Sequence, residues 1–271
     1  MTVQEIMPNI SNNTILQVSN LTHSFGGLKA VSDFKVSVNK EDIWGIIGPN
    51  GAGKTTVFNL LTGVYRPDKG AVVLNGENIT GRPSHVIVSK GISRTFQNIR
   101  LFRSMSVFDN LRTAGYCRLN YPLWSAMLRT RAFYRMENEM REFIHALLDA
   151  FGLGARMHEP AASLPYGMQR KVELSRALVS KPSLLLLDEP GAGMNPSELD
   201  NLADLILWVK KQYEVAIILI EHRMQLVMRL CDRVKVLNFG ETIYEGAPGG
   251  LAGNGTVVKA YLGDDDGTPV N

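Results

Sequence analysis

The stretch IWGIIGPNGAGKTTVFNLLTG, residues 43–63, runs an apolar segment straight into Gly48, Pro49, Asn50, Gly51, Ala52, Gly53, Lys54 and Thr55, then out into a helical pattern. This is the G-x-x-x-x-G-K-[ST] spacing in its strand–loop–helix setting. Glycines let the chain curl so that successive backbone N–H groups and the N-terminus of the next helix face phosphate oxygens. Lys54 supplies a point charge for the β- and γ-phosphates, Thr55 a hydroxyl for Mg²⁺, and Thr56 completes the nucleotide-binding set. A tight turn without nucleotide accounts for the glycines but not for the Gly-Lys-Thr ending. ATP and Mg²⁺ are therefore the expected ligands.

Working outward, a second apolar strand, SLLLLDEP at 183–190, ends in Asp188 and Glu189. Four consecutive leucines predict a strand buried on both faces, and its carboxyl end is where ligands sit in parallel sheets. Asp188 is placed to hold Mg²⁺ through water and Glu189 to polarise an attacking water. Further apolar segments at 15–18, 34–38, 43–47, 71–74, 216–220 and 234–238 alternate with helical patterns, which predicts an α/β fold. Between about 100 and 178 the strand signals stop, and Phe133, Met136, Met140, Phe143, Ile144 and Leu147 recur at helical spacing. The expected architecture is a P-loop ATPase sheet core with an N-terminal β subdomain and an inserted helical lobe. In residue terms, that is a tail at 1–14, one domain at 15–263 and a tail at 264–271.

The chain has 271 residues, 45% hydrophobic, with a formal net charge of +3. That charge neither requires nor forbids a polyanionic partner. Cys117 and Cys231 are the two cysteines and have no metal or redox spacing, which predicts free thiols in a reducing compartment. The apolar runs are too short to span a bilayer, so a membrane role is expected to be peripheral. Residues 111–136 carry Arg112, Arg118, Arg129, Arg131 and Arg135 with no acid, among Tyr116, Tyr121, Trp124, Phe133 and Tyr134. One reading is a solvated insert with its aromatics packed inward; the other is a surface lying near anionic lipid or a membrane partner. Farther on, Pro165 and Gly167 open a basic amphipathic helix whose first N–H groups have no intrahelical acceptors.

These motifs, in this order, resemble those of ATP-binding-cassette ATPase subunits over nearly the whole chain. The resemblance implies that Phe25 stacks on adenine, that residues 48–55 are the Walker A loop, and that Gln97 in RTFQN is the Q-loop glutamine, a further Mg²⁺ contact. It makes Leu164, Pro165, Tyr166, Gly167 and Met168 the signature that reaches a partner's nucleotide. Asp188 and Glu189 match Walker B and the catalytic carboxylate, GAGMNP the D-loop with Asn195 at its usual Asp position, and His222 in LIEHRM the switch histidine. LPYGM departs from the usual Leu-Ser-Gly-Gly-Gln: a serine hydroxyl and one backbone donor are missing.

The features RTFQNIRLF, a long basic insertion after SVFDNL, the aromatic before the retained signature glycine, AGMNP, IEHRM and AYLG are together similar to the LivG-like subunits of branched-chain amino-acid importers. What the resemblance implies is an Mg-dependent ATPase on the cytoplasmic face of the inner membrane. Its implied partners are a second ATPase subunit, distinct or a second copy, two transmembrane permease subunits and, indirectly, a soluble binding protein. The segment with Phe102 and Arg103 is where such subunits receive a cytoplasmic helix of the permease. Importers of urea or short amides, and a soluble ATP-switched protein on ribosomes or nucleic acid, are the alternatives. No nucleic acid is expected, because that class usually carries two cassettes in one chain, whereas this single cassette has its arginines beside the lobe expected to dock at the membrane.

Overall fold

The computed structural model describes residues 13–118 and 122–262. Tyr121, the side chain of Arg118, the segment 264–271 and all but the end of the segment 1–14 lie outside the described residues. In chain order the elements begin with β1 (Thr14–Phe25), β2 (Leu28–Asn39), β3 (Ile43–Ile47), α1 (Lys54–Leu61), β4 (Lys69–Leu74) and β5 (Glu77–Asn78). They continue with α2 (Ser84–Lys90), β6 (Ile92–Arg94), α3 (Val107–Gly115), α4 (Leu123–Met127), α5 (Arg131–Ala150) and α6 (Tyr166–Val179). The last are β7 (Leu184–Asp188), α7 (Pro196–Tyr213), β8 (Ala216–Ile220), α8 (Met224–Leu230), β9 (Arg233–Asn238), β10 (Glu241–Gly246) and α9 (Gly255–Leu262). The chain divides into two compact units, one of residues up to 84 together with 186 onward, the other of residues 85–185.

The first unit holds two sheets. One is antiparallel, in the order β2-β1-β4-β5. Its strands β1 and β2 are twelve residues each, far longer than their apolar segments at 15–18 and 34–38. The reason is irregular pairing: Asn20 and Asp33 adopt positive φ, their side chains hydrogen-bond each other, and the register shifts around them. Such bulges break the period-two alternation from which a strand is read. The other sheet runs β10-β9-β3-β8-β7, with β3 parallel to both β8 and β9. Every residue of β3, β7 and β8 is buried, as the unbroken apolar runs require of strands covered on both faces. Parallel pairing sends the chain out of β3 and β8 at the same edge. There the phosphate loop follows β3 and His222 follows β8.

The second unit is helical apart from β6, which adjoins the start of β7 through hydrogen bonds from Ser183 and Leu184 to the Gly91 carbonyl. Of the apolar positions spaced along α5, Met140, Ile144 and Leu147 are buried, whereas Phe133, Met136 and Phe143 are half-buried. The N-terminal part of α5 is thus less covered than its periodicity predicts. Tyr116, Trp124 and Tyr134 are exposed, so the aromatics of the basic segment are not all packed inward. Neither Cys117 nor Cys231 is in a disulfide among the described residues, and burial pushes the Cys231 thiol up to about 12. No described helix is long and apolar enough to cross a membrane.

Candidate functional site

In the first unit the loop between β3 and α1 is shaped by two glycines with no room for a side chain. Gly48 sits at φ +145, where a Cβ would lie 2.1 Å from the Leu237 carbonyl oxygen; Gly53 sits at φ +100, 2.3 Å from that of Ala30. Only glycine tolerates both that conformation and that approach. Gly53 is the N-cap of α1, so the helix begins at Lys54 with its free N–H groups directed to the loop. Lys54 is 7% exposed and donates to the carbonyls of Gly48 at 2.7 Å and Pro49 at 2.9 Å. Burial lowers its pKa, while Glu189 and Asp188 act in the opposite direction. Asn50, Gly51 and Thr55 are exposed, Pro49 and Thr56 half-buried and Ala52 buried. This cradle of backbone donors around one lysine fits a polyphosphate.

Asp188 ends β7 nearly buried, and Glu189 follows at φ 45 with its N–H on the Ile220 carbonyl at 3.0 Å. A non-glycine residue at positive φ is uncommon, and here the turn re-aims the side chain at the sheet edge. The His222 Nδ1 stands 3.8 Å from Glu189 Oε2, with its ring half exposed. The structure thus brings Lys54, Asp188, Glu189 and His222 together. Among the described residues no cluster of three or more His, Cys, Asp or Glu side chains could hold a metal alone. Thr55 and Asp188 instead fit a Mg²⁺ whose remaining ligands are phosphate and water, the usual way this ion is held.

Phe25 is 45% exposed at the end of β1 and does not stand alone. It meets His23 edge to face at 4.7 Å and Tyr65 at 5.2 Å, and His23 stacks on Tyr65 at 5.5 Å. The result is an aromatic platform suited to a flat heterocycle. His23 and Tyr65 were not legible in the sequence, because neither lies in a spaced motif.

Two wiring residues were also missed. Glu221, fully buried beside His222, accepts from the N–H groups of Gly191 at 2.9 Å, His222 at 2.9 Å and Arg223 at 3.0 Å. Arg223 in turn donates to the Met194 carbonyl at 2.6 Å. The segment after Glu189 and the segment carrying His222 are therefore tied twice. Asn195 caps α7 in a reciprocal box with Glu198, a role Asn fills as well as Asp. Replacing Glu221 by Gln removes one charge-assisted acceptor, worth about 1.5–3 kcal/mol. Turnover is expected to fall on the order of tenfold with nucleotide affinity unchanged. Steady-state kinetics beside equilibrium binding check this; equal turnover would mean that Glu221 only supports the fold.

The second unit carries Gln97 and residues 164–168. α6 begins at Tyr166, with Pro165 as N-cap without a side-chain acceptor, so Gly167 lies inside the first turn rather than in the preceding loop. The N–H groups of Met168 and Gln169 return to the Pro165 carbonyl, and open space surrounds Gly167. Leu164 is buried and Tyr166 half exposed. Buried Arg170 joins this motif to the exposed Gln97: it donates to the Gln97 carbonyl at 2.7 Å, to that of Phe96 at 3.1 Å and to the Tyr166 hydroxyl at 3.1 Å. Glu173 pairs with Arg170 at 2.7 Å. Fully buried Asn110 accepts from the Phe102 N–H and donates to the Phe102 and Ser106 carbonyls, holding a loop on which Phe102 and Arg103 are exposed.

The ABC transporter family model matches residues 31–192. The chain is 44% identical over 250 residues to the high-affinity branched-chain amino acid transport ATP-binding protein BraF of Pseudomonas aeruginosa, covering 92% of this chain and 98% of that one. It is 41% identical, with the same coverage, to LivG of Escherichia coli K12, of the same description. Among solved structures, the ADP conformation of MJ1267, an ATP-binding cassette of an ABC transporter, superposes with a TM-score of 0.81 at 32% identity, covering 93% and 99% of the two chains.

Proposed function

Because this chain belongs to the ABC transporter family of ATP-binding cassettes, we propose that it is the ATP-hydrolysing subunit of an importer for branched-chain or related hydrophobic amino acids. The observation that carries this reading is the similarity of 41–44% across 98% of two proteins described as branched-chain amino acid transport ATP-binding proteins. Such a subunit works at the cytoplasmic face of the inner membrane. It pairs there with a second cassette, a paralogue or another copy, and with two permease subunits served by a soluble binding protein.

In this reading the loop 48–55 and Thr56 bind the ATP phosphates, and the Phe25 platform takes the adenine. Thr55 and Asp188 would hold Mg²⁺, which when bound would neutralise charge on the ATP phosphates. Lys54 gathers the charge that grows on the departing β–γ bridge. Glu189 accepts a proton from water as the water oxygen attacks the γ-phosphorus, and His222, 3.8 Å from Glu189, orients that attack. Residues 164–168 serve the partner's nucleotide. Gly167 permits close approach of the α6 N-terminus, while Pro165 supplies neither a hydroxyl nor an N–H. The missing serine bond is worth about 1.5–3 kcal/mol, so the composite site that this signature completes is attenuated, not lost.

Coupling to the permease falls to the loop held by Asn110. In a reconstituted transporter, Phe102→Ala is expected to keep basal ATP hydrolysis and lose most of the cargo-stimulated component and of uptake. Full stimulation and uptake in that variant would move the permease contact elsewhere.

A further inference from the structure

Residues 122–135 form a short helical hairpin that displays apolar and cationic side chains side by side. Trp124, Met127 and Leu128 stand at i, i+3 and i+4 and so share one face, and they are 58%, 82% and 72% exposed. The other face is anchored. Ser125 is 3% exposed and its hydroxyl hydrogen-bonds that of Thr130, whose N–H returns to the Ser125 carbonyl at 3.1 Å. Arg129 at φ 48 reverses the chain, and Thr130 then caps α5. The apolar face is thus held outward by built structure.

Charge accompanies it. Arg129, Arg131, Tyr134 and Arg135 are exposed at the adjoining start of α5. No acid occurs from 111 to 136. The next one, Glu137, pairs with Arg112 at 3.2 Å. Arg135 has only a 3.9 Å approach to Glu139, and Arg129 and Arg131 form no ion pair among the described residues.

We propose that this hairpin docks on an anionic phospholipid surface, with Trp124, Met127 and Leu128 entering the headgroup region and Arg129, Arg131 and Arg135 against lipid phosphates. Indole and phenol rings favour that interface, basic side chains are drawn to anionic leaflets, and an apolar face beside a cationic one is the pattern of interfacial helices. A single-stranded nucleic acid uses aromatic rings as stacking platforms. Here the most exposed apolar residues are the aliphatic Met127 and Leu128, which stacking does not employ. The contact is made by this chain alone and is independent of the amino-acid cargo and of the permease.

The test mixes the full chain with vesicles of phosphatidylcholine alone or with phosphatidylglycerol, reading co-sedimentation and quenching of tryptophan emission by brominated lipid. Partition onto the anionic vesicles, weakened by salt, is expected. Quenching should disappear on Trp124→Phe in a Trp208→Phe background, since Trp44 is buried and Trp208 half-buried. Arg129→Gln, Arg131→Gln and Arg135→Gln together should lower partition on the order of 100-fold while basal ATP hydrolysis, the control for folding, is kept. Met127→Ser with Leu128→Ser should reduce both quenching and partition. The proposal is overturned by equal partition onto neutral vesicles, by no partition onto anionic ones, by undiminished binding of the triple-arginine variant, or by binding of a single-stranded oligonucleotide without binding of vesicles.

Discussion

Glu189→Gln is expected to bind Mg-ATP within a few fold of the natural protein and to hydrolyse it about 10²–10⁴ times more slowly. The substitution keeps the size and hydrogen-bonding reach of the side chain but removes the base. The backbone places that base tightly: the Glu189 N–H is held by the Ile220 carbonyl at 3.0 Å, and its own carbonyl accepts from Ala192 at 3.1 Å. The side chain is 19% exposed and faces His222 across 3.8 Å. Single-turnover hydrolysis beside nucleotide binding separates the two effects. Unchanged turnover in a preparation free of contaminating ATPase would remove Glu189 from the base role.

Lys54→Ala is expected to act earlier, on binding itself. Its Nζ is buried in the loop after β3 and rests on the Gly48 and Pro49 carbonyls. Losing a charge-assisted contact to each of two phosphates, at about 1.5–3 kcal/mol apiece, predicts affinity lower by at least 10²-fold, with hydrolysis falling further. Binding of a fluorescent ATP analogue, with a thermal melt as the control for folding, checks this. Affinity within threefold of the natural protein would contradict the assignment.

Legibility in the sequence followed the range of the interactions. The loop after β3, the leucine run of β7 and the apolar β8 were readable because neighbours in sequence define them: a glycine spacing, an unbroken apolar run, a titratable residue at a strand end. β1 and β2 were read short because bulges at Asn20 and Asp33 interrupt their alternation. β5 and β6, two and three residues long, carry too little pattern to be seen at all. The same limit applies to the site. Phe25, Asp188, Glu189 and His222 stand in local motifs, but Tyr65, Glu221, Arg170 and Asn110 act through partners that only folding brings near. Glu221 reads as one more acid beside a histidine until three N–H groups are found on its carboxylate. Asn195 stands in the sequence as the residue at the usual Asp position of the D-loop, and the structure adds a local duty at the head of α7.

The central claim is that ATP hydrolysis by this chain is coupled to import of branched-chain amino acids. The most direct test is ATP turnover of the subunit reconstituted with its own permease, partner cassette and binding protein, with leucine, isoleucine and valine compared against urea and short amides. Stimulation by the three amino acids, abolished by Glu189→Gln in this subunit, is the predicted result. Stimulation by urea or amides alone, or by none of these compounds, would contradict it.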